Sequence, residues 1–141
     1  MASSTYEENE MKFLSIYKTV ERNTPPTQEE MAAMGKLIEE GMREGSLLST
    51  EGCLPTALGA RVRRDGDTIS VTDGPFTESK EVVGGFAILQ AASKEEAIQL
   101  ARNFLKVVGE GECELRQIFE NNCVEQAKQS TLDAAIVALS R

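Results

Sequence analysis

Residues 73–86 read D-G-P-F-T-E-S-K-E-V-V-G-G-F, and the rest of the chain can be interpreted outward from them. The first three residues combine a short acid that bonds nearby backbone, a permissive glycine and a ring-restricted proline, which predicts a tight turn. Charged residues of both signs then come directly before an apolar strand; they are Glu78, Lys80 and Glu81. So many turn-forming and charged residues within one short stretch are compatible with a ligand-binding or catalytic site. They are equally compatible with a tight, solvated loop, and both hypotheses stay open at this point.

The strand that follows, Val82 to Ala91, is apolar at nearly every position. This pattern is typical of a central strand that is covered on both faces. Gly84 and Gly85 in its first half predict a β-bulge, or a place where another backbone or a ligand approaches closely.

Upstream of residue 73, a first strand is predicted at Lys12–Lys18 and a second at Ser46–Leu54. Between them, Thr27 and Glu30 have the capping-box spacing, and Gly45 is the expected C-cap of the helix. We interpret the apolar stripe of this helix as core rather than as a pliable binding surface; it comprises Met31, Met34, Leu37, Ile38 and Met42.

A β-hairpin is predicted at residues 60–72, since Asp-Gly is among the best short hairpin signals. With Asp65 and Gly66 as the two loop residues, Val62 pairs with Ile69 and Ala60 pairs with Val71.

Downstream of the central strand, Ser93 is expected to cap a second helix that ends before Gly109. A last strand is predicted at residues 112–120, with Cys113, Leu115 and Phe119 facing inward. The residues from 121 to 141 have helical apolar spacing and predict a C-terminal amphipathic helix. The division of the chain is then a flexible N-terminal tail at 1–11, one domain at 12–120 and the C-terminal helix at 121–141.

The predicted order of elements is βαββαβ with the hairpin inserted after the second strand. This order is that of an α+β, ferredoxin-like domain. Two helices would cover one face of the sheet, whereas the central strand is apolar on both faces. We therefore expect a homodimer in which a second subunit covers the other face.

Composition narrows the range of functions. The 141 residues have a net charge of −8, which argues against nucleic acid and against anionic membranes as partners. No apolar run is long enough for a membrane span, and the first residues do not resemble a signal peptide. The three cysteines lack metal-ligand spacing and fit a reducing, cytoplasmic compartment. The chain contains no histidine, so histidine-based catalysis and imidazole metal sites are excluded. Separately, no cofactor is expected.

Residues 73–81 and the G-G-F at 84–86 resemble the signature of the YCII-related, DGPF-domain proteins. The runs K-F-L-S-I-Y at 12–17, E-G-C-L-P at 51–55 and V-R-R-D-G at 62–66 agree with the same family. The resemblance covers residues 12–120 and implies a dimeric α+β barrel and a bacterial source. The family has no settled activity, and some members are encoded beside extracytoplasmic-function sigma factors. A related branch carries a His–Asp pair proposed as catalytic, which this chain, without histidine, does not have.

The first functional hypothesis is an acid–base isomerase or lyase that acts on a small anionic compound. Asp73 or Glu81 would be the base, with a pKa raised by burial near Phe76 and Phe86, and Tyr17 would donate a hydrogen bond to developing charge. The other expected ligand-binding residues are Gly74, Pro75, Lys80, Arg61, Arg63 and Glu51. Alternatively, Lys80 forms a surface pair with Glu78 or Glu81, and Tyr17 is strand core.

Two other hypotheses compete with an enzyme. In one, the chain is a non-catalytic module that senses a ligand or binds a protein, with a link to transcriptional signalling. In the other, the D-G-P-F stretch is architectural. Acids that are buried in a closed pocket favour the enzyme, whereas solvated acids beside an apolar groove favour the binder. No metal site is expected, because the spacing of the acids matches no standard loop.

Overall fold

A computed structural model describes residues 10–22 and 24–120 of the chain. The predicted tail at 1–11 therefore falls almost wholly outside the described residues, and the predicted C-terminal helix at 121–141 falls entirely outside them. The described part contains two helices and six strands in an α+β arrangement. Their bounds are β1 Met11–Thr19, α1 Gln28–Glu44, β2 Leu47–Gly52, β3 Ala60–Asp65, β4 Thr68–Asp73, β5 Val82–Ala91, α2 Lys94–Val108 and β6 Glu112–Gln117, with a short 3-10 turn at Thr56–Leu58.

Both helices begin at the residues that the sequence indicates. The Thr27 side chain accepts a hydrogen bond from the backbone N–H of Glu30, whose carboxylate accepts one from the backbone N–H of Thr27 at 2.8 Å. The predicted capping box of α1 is confirmed, and Gly45 ends the helix in the left-handed conformation, with φ of 83°. Ser93 caps α2 in the same way, by accepting from the N–H of Glu96.

Four strands form one antiparallel sheet in the order β2–β5–β1–β6. This order is compatible with a ferredoxin-like fold, because the two β-α-β halves interleave in it. β5 lies between β2 and β1, so its predicted central position is confirmed. The dimeric barrel stays a prediction.

The glycine pair in β5 interrupts the ladder as expected. The register with β1 shifts after Tyr17, so that Gly84 is the extra residue between two paired positions. A Cβ at Gly85 would lie 2.8 Å from the carbonyl oxygen of Glu51 on β2. Both predicted consequences, a bulge and a close backbone approach, are therefore present at adjacent residues.

The buried core is small and lies where β5 ends. It consists of Phe13, Leu89, Ala91 and Ala97, with partly buried neighbours on β2, β6 and α2. The interpretation of the α1 stripe as core was wrong, since none of the residues of α1 is buried and Met31 and Met42 are exposed. The part of this stripe that faces the sheet borders a cavity instead.

β3 and β4 pair only with each other, in a separate two-stranded sheet that we call the arm. The predicted loop was wrong by one residue, and the predicted partners on β4 were therefore wrong by two. Asp65 pairs with Thr68 and Val62 pairs with Val71, so the loop is Gly66–Asp67. The physical reason is the conformation of Gly66, with φ of 63°, while no described non-glycine residue has positive φ. A two-residue loop with positive φ only at its first central position is of type II′.

β6 ends at Gln117, earlier than the predicted strand. Cys113 and Leu115 are half-buried as expected, whereas Phe119 lies beyond the strand and is exposed, so its inward assignment was wrong. Neither helix of the described residues is long and apolar enough to cross a membrane.

Candidate functional site

A cavity of about 660 Å³ lies between the two helices and the four-stranded sheet. Its volume is within the usual range for small-molecule sites, about 300–1,000 Å³. Residues of α1, α2, β1, β2 and β5 line it, and we call it the helix–sheet cavity.

The apolar wall of the cavity comes largely from the helices. Met34, Leu37 and Ile38 of α1 lie on one side, and Leu100 and Phe104 of α2 lie beside them. A helix with a marked apolar stripe usually packs that stripe on a core. Here the stripe borders space, and a methionine is well suited to such a position because its side chain adapts to different shapes.

Two hydroxyl groups of the cavity lie on the strands. Ser15 on β1 is 7% exposed, and its hydroxyl hydrogen-bonds the thiol of Cys113 on β6. The hydroxyl of Thr50 donates to the carbonyl of Phe86 at 2.9 Å. Sequence reasoning missed Ser15 and Thr50. The alternation of β1 places Ser15 between Phe13 and Tyr17 on the helix-facing side, and this signal would have identified it.

Tyr17 lines the cavity, and contacts at both its hydroxyl and its ring hold the side chain in place. Its hydroxyl donates to the backbone carbonyl of Glu110 at 2.6 Å, and its ring meets Phe104 edge to face with 5.2 Å between centroids. A Cβ at Gly111 would lie 2.4 Å from the Tyr17 ring, so that glycine lets the chain pass directly beside it. The hydroxyl that the enzyme hypothesis requires for a substrate is thus engaged with the backbone.

Three of the residues predicted for the site border the helix–sheet cavity: Tyr17, Glu51 and Phe86. Phe86 is paired with Ile16 and with Glu51, so the alternation of the strands places the side chains of Phe86 and Glu51 on the sheet face opposite Ser15. The others are in the arm or in residues 74–81 and do not line it; they are Asp73, Gly74, Pro75, Phe76, Lys80, Glu81, Arg61 and Arg63. The structure therefore divides the predicted site into two separate regions.

The D-G-P-F turn is held against the 3-10 turn by close contact. The Gly74–Pro75 peptide is cis, and a Cβ at Gly74 would lie 1.6 Å from the carbonyl oxygen of Thr56. The N–H of Gly74 donates to the carbonyl of Gly59 at 3.0 Å, and the N–H of Phe76 donates to the hydroxyl of Thr56 at 3.1 Å. Only glycine fits at position 74, because any side chain would overlap the backbone of residue 56.

Glu21 connects this turn to the loop after β1. Its carboxylate accepts from the backbone N–H of Thr56 and, at 2.9 Å, from the Thr56 hydroxyl. Since that hydroxyl also accepts from Phe76, Thr56 joins three segments that are distant in sequence. Nothing in the spacing of these residues indicates the connection.

Arg61, near the start of β3, connects the arm to the residues that follow the D-G-P-F turn. Its guanidinium lies 3.8 Å from the centroid of the Phe76 ring, and it donates to the carboxylate of Glu78 at 2.7 Å and to the hydroxyl of Ser79 at 3.0 Å. The hydrogen bond from Arg61 holds the pKa of Glu78 below its usual value. The charge partner of Glu78 is thus Arg61 rather than Lys80.

Asp73 and Glu81 are both exposed, as is Lys80. The burial that the enzyme hypothesis requires for its base is absent at these two acids. Within residues 10–22 and 24–120, no three His, Cys, Asp or Glu side chains are grouped so that they could hold a metal ion. Burial raises the pKa of the Cys113 thiol, which disfavours the reactive thiolate.

The amino-acid sequence of the chain is similar to that of a known domain family. The YCII-related domain family matches residues 11–122. The chain belongs to this family. A protein of Rhizobium meliloti (strain 1021), described only as uncharacterized, is 37% identical over 59 residues. That match covers 42% of this chain and 48% of the relative, so the chain spans about half the length of the relative it matches.

Proposed function

We propose that this YCII-related protein is a homodimer that binds a small, predominantly apolar molecule in the helix–sheet cavity. The observation that carries the proposal is that α1 directs an amphipathic stripe at a cavity of about 660 Å³ and buries none of its residues. A ligand there would provide the apolar contacts that the helix otherwise lacks.

The charge of the lining indicates what kind of ligand fits. Glu40, Glu44 and Glu51 are among the described lining residues, and lysine and arginine are not. Nothing in this part of the wall would pair with an anion, so we favour a neutral ligand over the small anionic compound expected from the sequence. Ser15 is the buried hydroxyl best placed for a directional hydrogen bond.

A function in ligand binding, without catalysis, agrees with the exposure of the acidic side chains. Asp73 and Glu81 are exposed and lie outside the cavity lining, and Glu44 and Glu51 are exposed at its border. A general base in an enzyme of this kind is expected to be buried or closely paired. The isomerase or lyase hypothesis therefore gains no support from these positions, and the link to transcriptional signalling stays a hypothesis.

The second sheet face supports the homodimer. Leu14 and Ile16 alternate with the helix-facing side chains of β1, and Ile16 pairs with Phe86 and lies next to Ile88 on the same face. A second copy would bury this apolar surface at no further cost in sequence. Ile16→Lys is expected to shift the protein toward monomer in light scattering, whereas an unchanged dimer would contradict this interface.

Fluorescence titration with the neutral apolar dye N-phenyl-1-naphthylamine tests the cavity. We expect saturable binding with one dye per chain. Ala87→Leu adds volume to a residue that lines the cavity and is expected to weaken the binding severalfold, while Ala33→Leu on an exposed position of α1 leaves it unchanged. Absence of saturable binding, or equal weakening by both variants, would refute the proposal.

A further inference from the structure

The last turn of α1 is held against β2. A Cβ at Gly41 would lie 2.9 Å from the Cβ of Leu47, so the backbone of the helix lies directly on this side chain. The backbone N–H of Ser46 donates to the carbonyl of Gly41 at 3.0 Å, and the N–H of Gln90 on β5 donates to the carbonyl of Ser46 at 2.9 Å. Since Leu47 also packs on the buried core, the C-terminal end of α1 is attached to the sheet through both backbone and side-chain contacts.

The first two turns of α1 have no comparable attachment. Residues 28–33 are all exposed, and Met34 is the first half-buried residue of the helix. Apart from the capping box, residues 28–33 make one ion pair within the part of the chain that the structure describes, between Glu30 and Arg22 at 3.6 Å. Both of these side chains are about half exposed, and such pairs contribute little to stability. The N-terminal end of α1 therefore depends mainly on its own helical hydrogen bonds.

The helix–sheet cavity lies beside this unattached end. Two residues reverse the chain between α1 and β2, so the earlier turns of the helix pass alongside the later residues of the strand. Gly52 on β2 pairs with Gly85, which pairs with Tyr17, so position 52 faces the helices. A Cβ at Gly52 would meet no atom within 4 Å, in contrast to the close contact at Gly41. Helix and strand thus touch near the start of β2 and leave open space near its end.

Gly35 separates the unattached turns of α1 from the attached ones. Glycine lowers the stability of a helix relative to alanine, because its backbone loses more conformational entropy on folding. Gly35 is exposed, and a Cβ there would meet no atom within 4 Å, so packing does not require a glycine at this position. A weak point between the two parts of the helix allows residues 28–35 to lose their helical hydrogen bonds while residues 41–44 stay beside β2.

We propose that residues 28–35 form a lid on the helix–sheet cavity, which unfolds locally to let a molecule enter or leave and refolds over the molecule once it is bound. The inference rests on the proposed binding function of this cavity and adds how the cavity is reached. Met34 is the residue of the lid that lines the cavity, so refolding brings its side chain back to the bound molecule. Segments that cover binding sites are commonly drawn from the less stable parts of a fold.

Hydrogen exchange of the full-length chain, measured by mass spectrometry, tests the local unfolding. Amides 32–36 of α1 and 98–102 of α2 occupy the same positions relative to the N-caps Thr27 and Ser93, so fraying that is common to helix ends affects both equally. Without ligand, we expect amides 32–36 to exchange about tenfold or more faster than amides 98–102, after correction for intrinsic rates. Equal exchange in the two helices would overturn the lid.

Stopped-flow kinetics with N-phenyl-1-naphthylamine test whether this unfolding controls access to the cavity. If the dye enters and leaves through the same opening, a change in the stability of the lid alters both rates equally and leaves Kd unchanged. Gly35→Ala is expected to slow association and dissociation about fivefold each. Thr27→Ala removes the N-cap of α1 and is expected to speed both rates about fivefold. Ser93→Ala removes the equivalent cap from α2 and is expected to leave both rates unchanged.

Two kinetic results would also overturn the lid. Unchanged rates in both Gly35→Ala and Thr27→Ala would show that the first turns of α1 do not control access. A change in Kd that arises from dissociation alone would show that these turns support the bound state without gating entry. The exchange measurement needs no ligand, so it still tests the lid where the dye does not bind, a result that refutes the proposed function. Failure of either proposal is therefore distinguishable from failure of the other.

Discussion

Gly74 should tolerate no side chain, and this is the sharpest consequence of the contact between the D-G-P-F turn and residue 56. In Gly74→Ala the added methyl would lie 1.6 Å from the carbonyl oxygen of Thr56 and 2.6 Å from its carbonyl carbon. Both contacts are with backbone, which cannot rotate away as the end of a flexible side chain can. The turn and the 3-10 segment therefore have to separate.

The expected loss of stability follows from the contacts that separate. Overpacking of this kind costs about 1–3 kcal/mol. The hydrogen bonds from Gly74 to Gly59 and from Phe76 to Thr56 cross the same contact, and each contributes about 1 kcal/mol net. Together the free energy of unfolding should fall by about 3–5 kcal/mol, a large part of the roughly 5–15 kcal/mol of an ordinary domain.

Gly35→Ala is the matched control, because a Cβ at Gly35 has no atom within 4 Å. Gly35 lies within α1, where alanine is better than glycine by about 1 kcal/mol. The same chemical change should therefore raise stability at one glycine and lower it at the other.

Urea denaturation at one fixed protein concentration measures both variants, with linear extrapolation to water. The expected order of unfolding free energies is Gly35→Ala above wild type and Gly74→Ala far below it. A Gly74→Ala variant within about 0.5 kcal/mol of wild type would show that the turn does not depend on this contact, since effects of that size are typical of ordinary surface substitutions. The architectural role of the turn would then be rejected.

Two further predictions concern hydrogen bonds and pH. Thr56→Val removes the hydroxyl that bonds both Glu21 and Phe76, and should lower the free energy of unfolding by about 1–3 kcal/mol in urea melts, while the exposed Thr72→Val should change little. Hydrogen bonds from Lys18 and Arg116 hold the pKa of Glu114 below 4.5, so this ion pair contributes stability that is present above pH 4.5 and is lost as the pH falls through the lowered pKa. Glu114→Gln should therefore flatten the decline of the melting temperature at acid pH, and an acid limb as steep as that of Glu39→Gln would contradict the assignment.

Local features were predictable because their hydrogen bonds close within a few residues. The capping box of Thr27 and Glu30 and the left-handed Gly45 are examples, and the Gly84–Gly85 irregularity was also apparent in the sequence. The hairpin could be located but not its register. The run Asp65-Gly66-Asp67 permits two loop positions, and only the backbone conformation of Gly66 distinguishes them.

The candidate site was much less accessible to sequence reasoning. Periodicity shows that α1 has an apolar face, but it does not show whether that face meets side chains or space. The separation between helix and sheet decides this, and it depends on every residue between them. The ion pair between Arg61 and Glu78 also depends on tertiary structure. The two residues are 17 positions apart in the chain, and they meet because the start of β3 lies beside the residues that follow the turn.

The order of residues alone determined the family, the sequence of helices and strands, their caps and the central position of β5, because these follow from short-range sterics and hydrogen bonding. Tertiary structure alone decided that the acids of the D-G-P-F region are exposed, that Ser15 and the stripe of α1 border a cavity, and that the apolar side chains of the arm are exposed. The physical reason is that burial and cavities arise from contacts between segments far apart in the chain, and local residue preferences do not encode their distances.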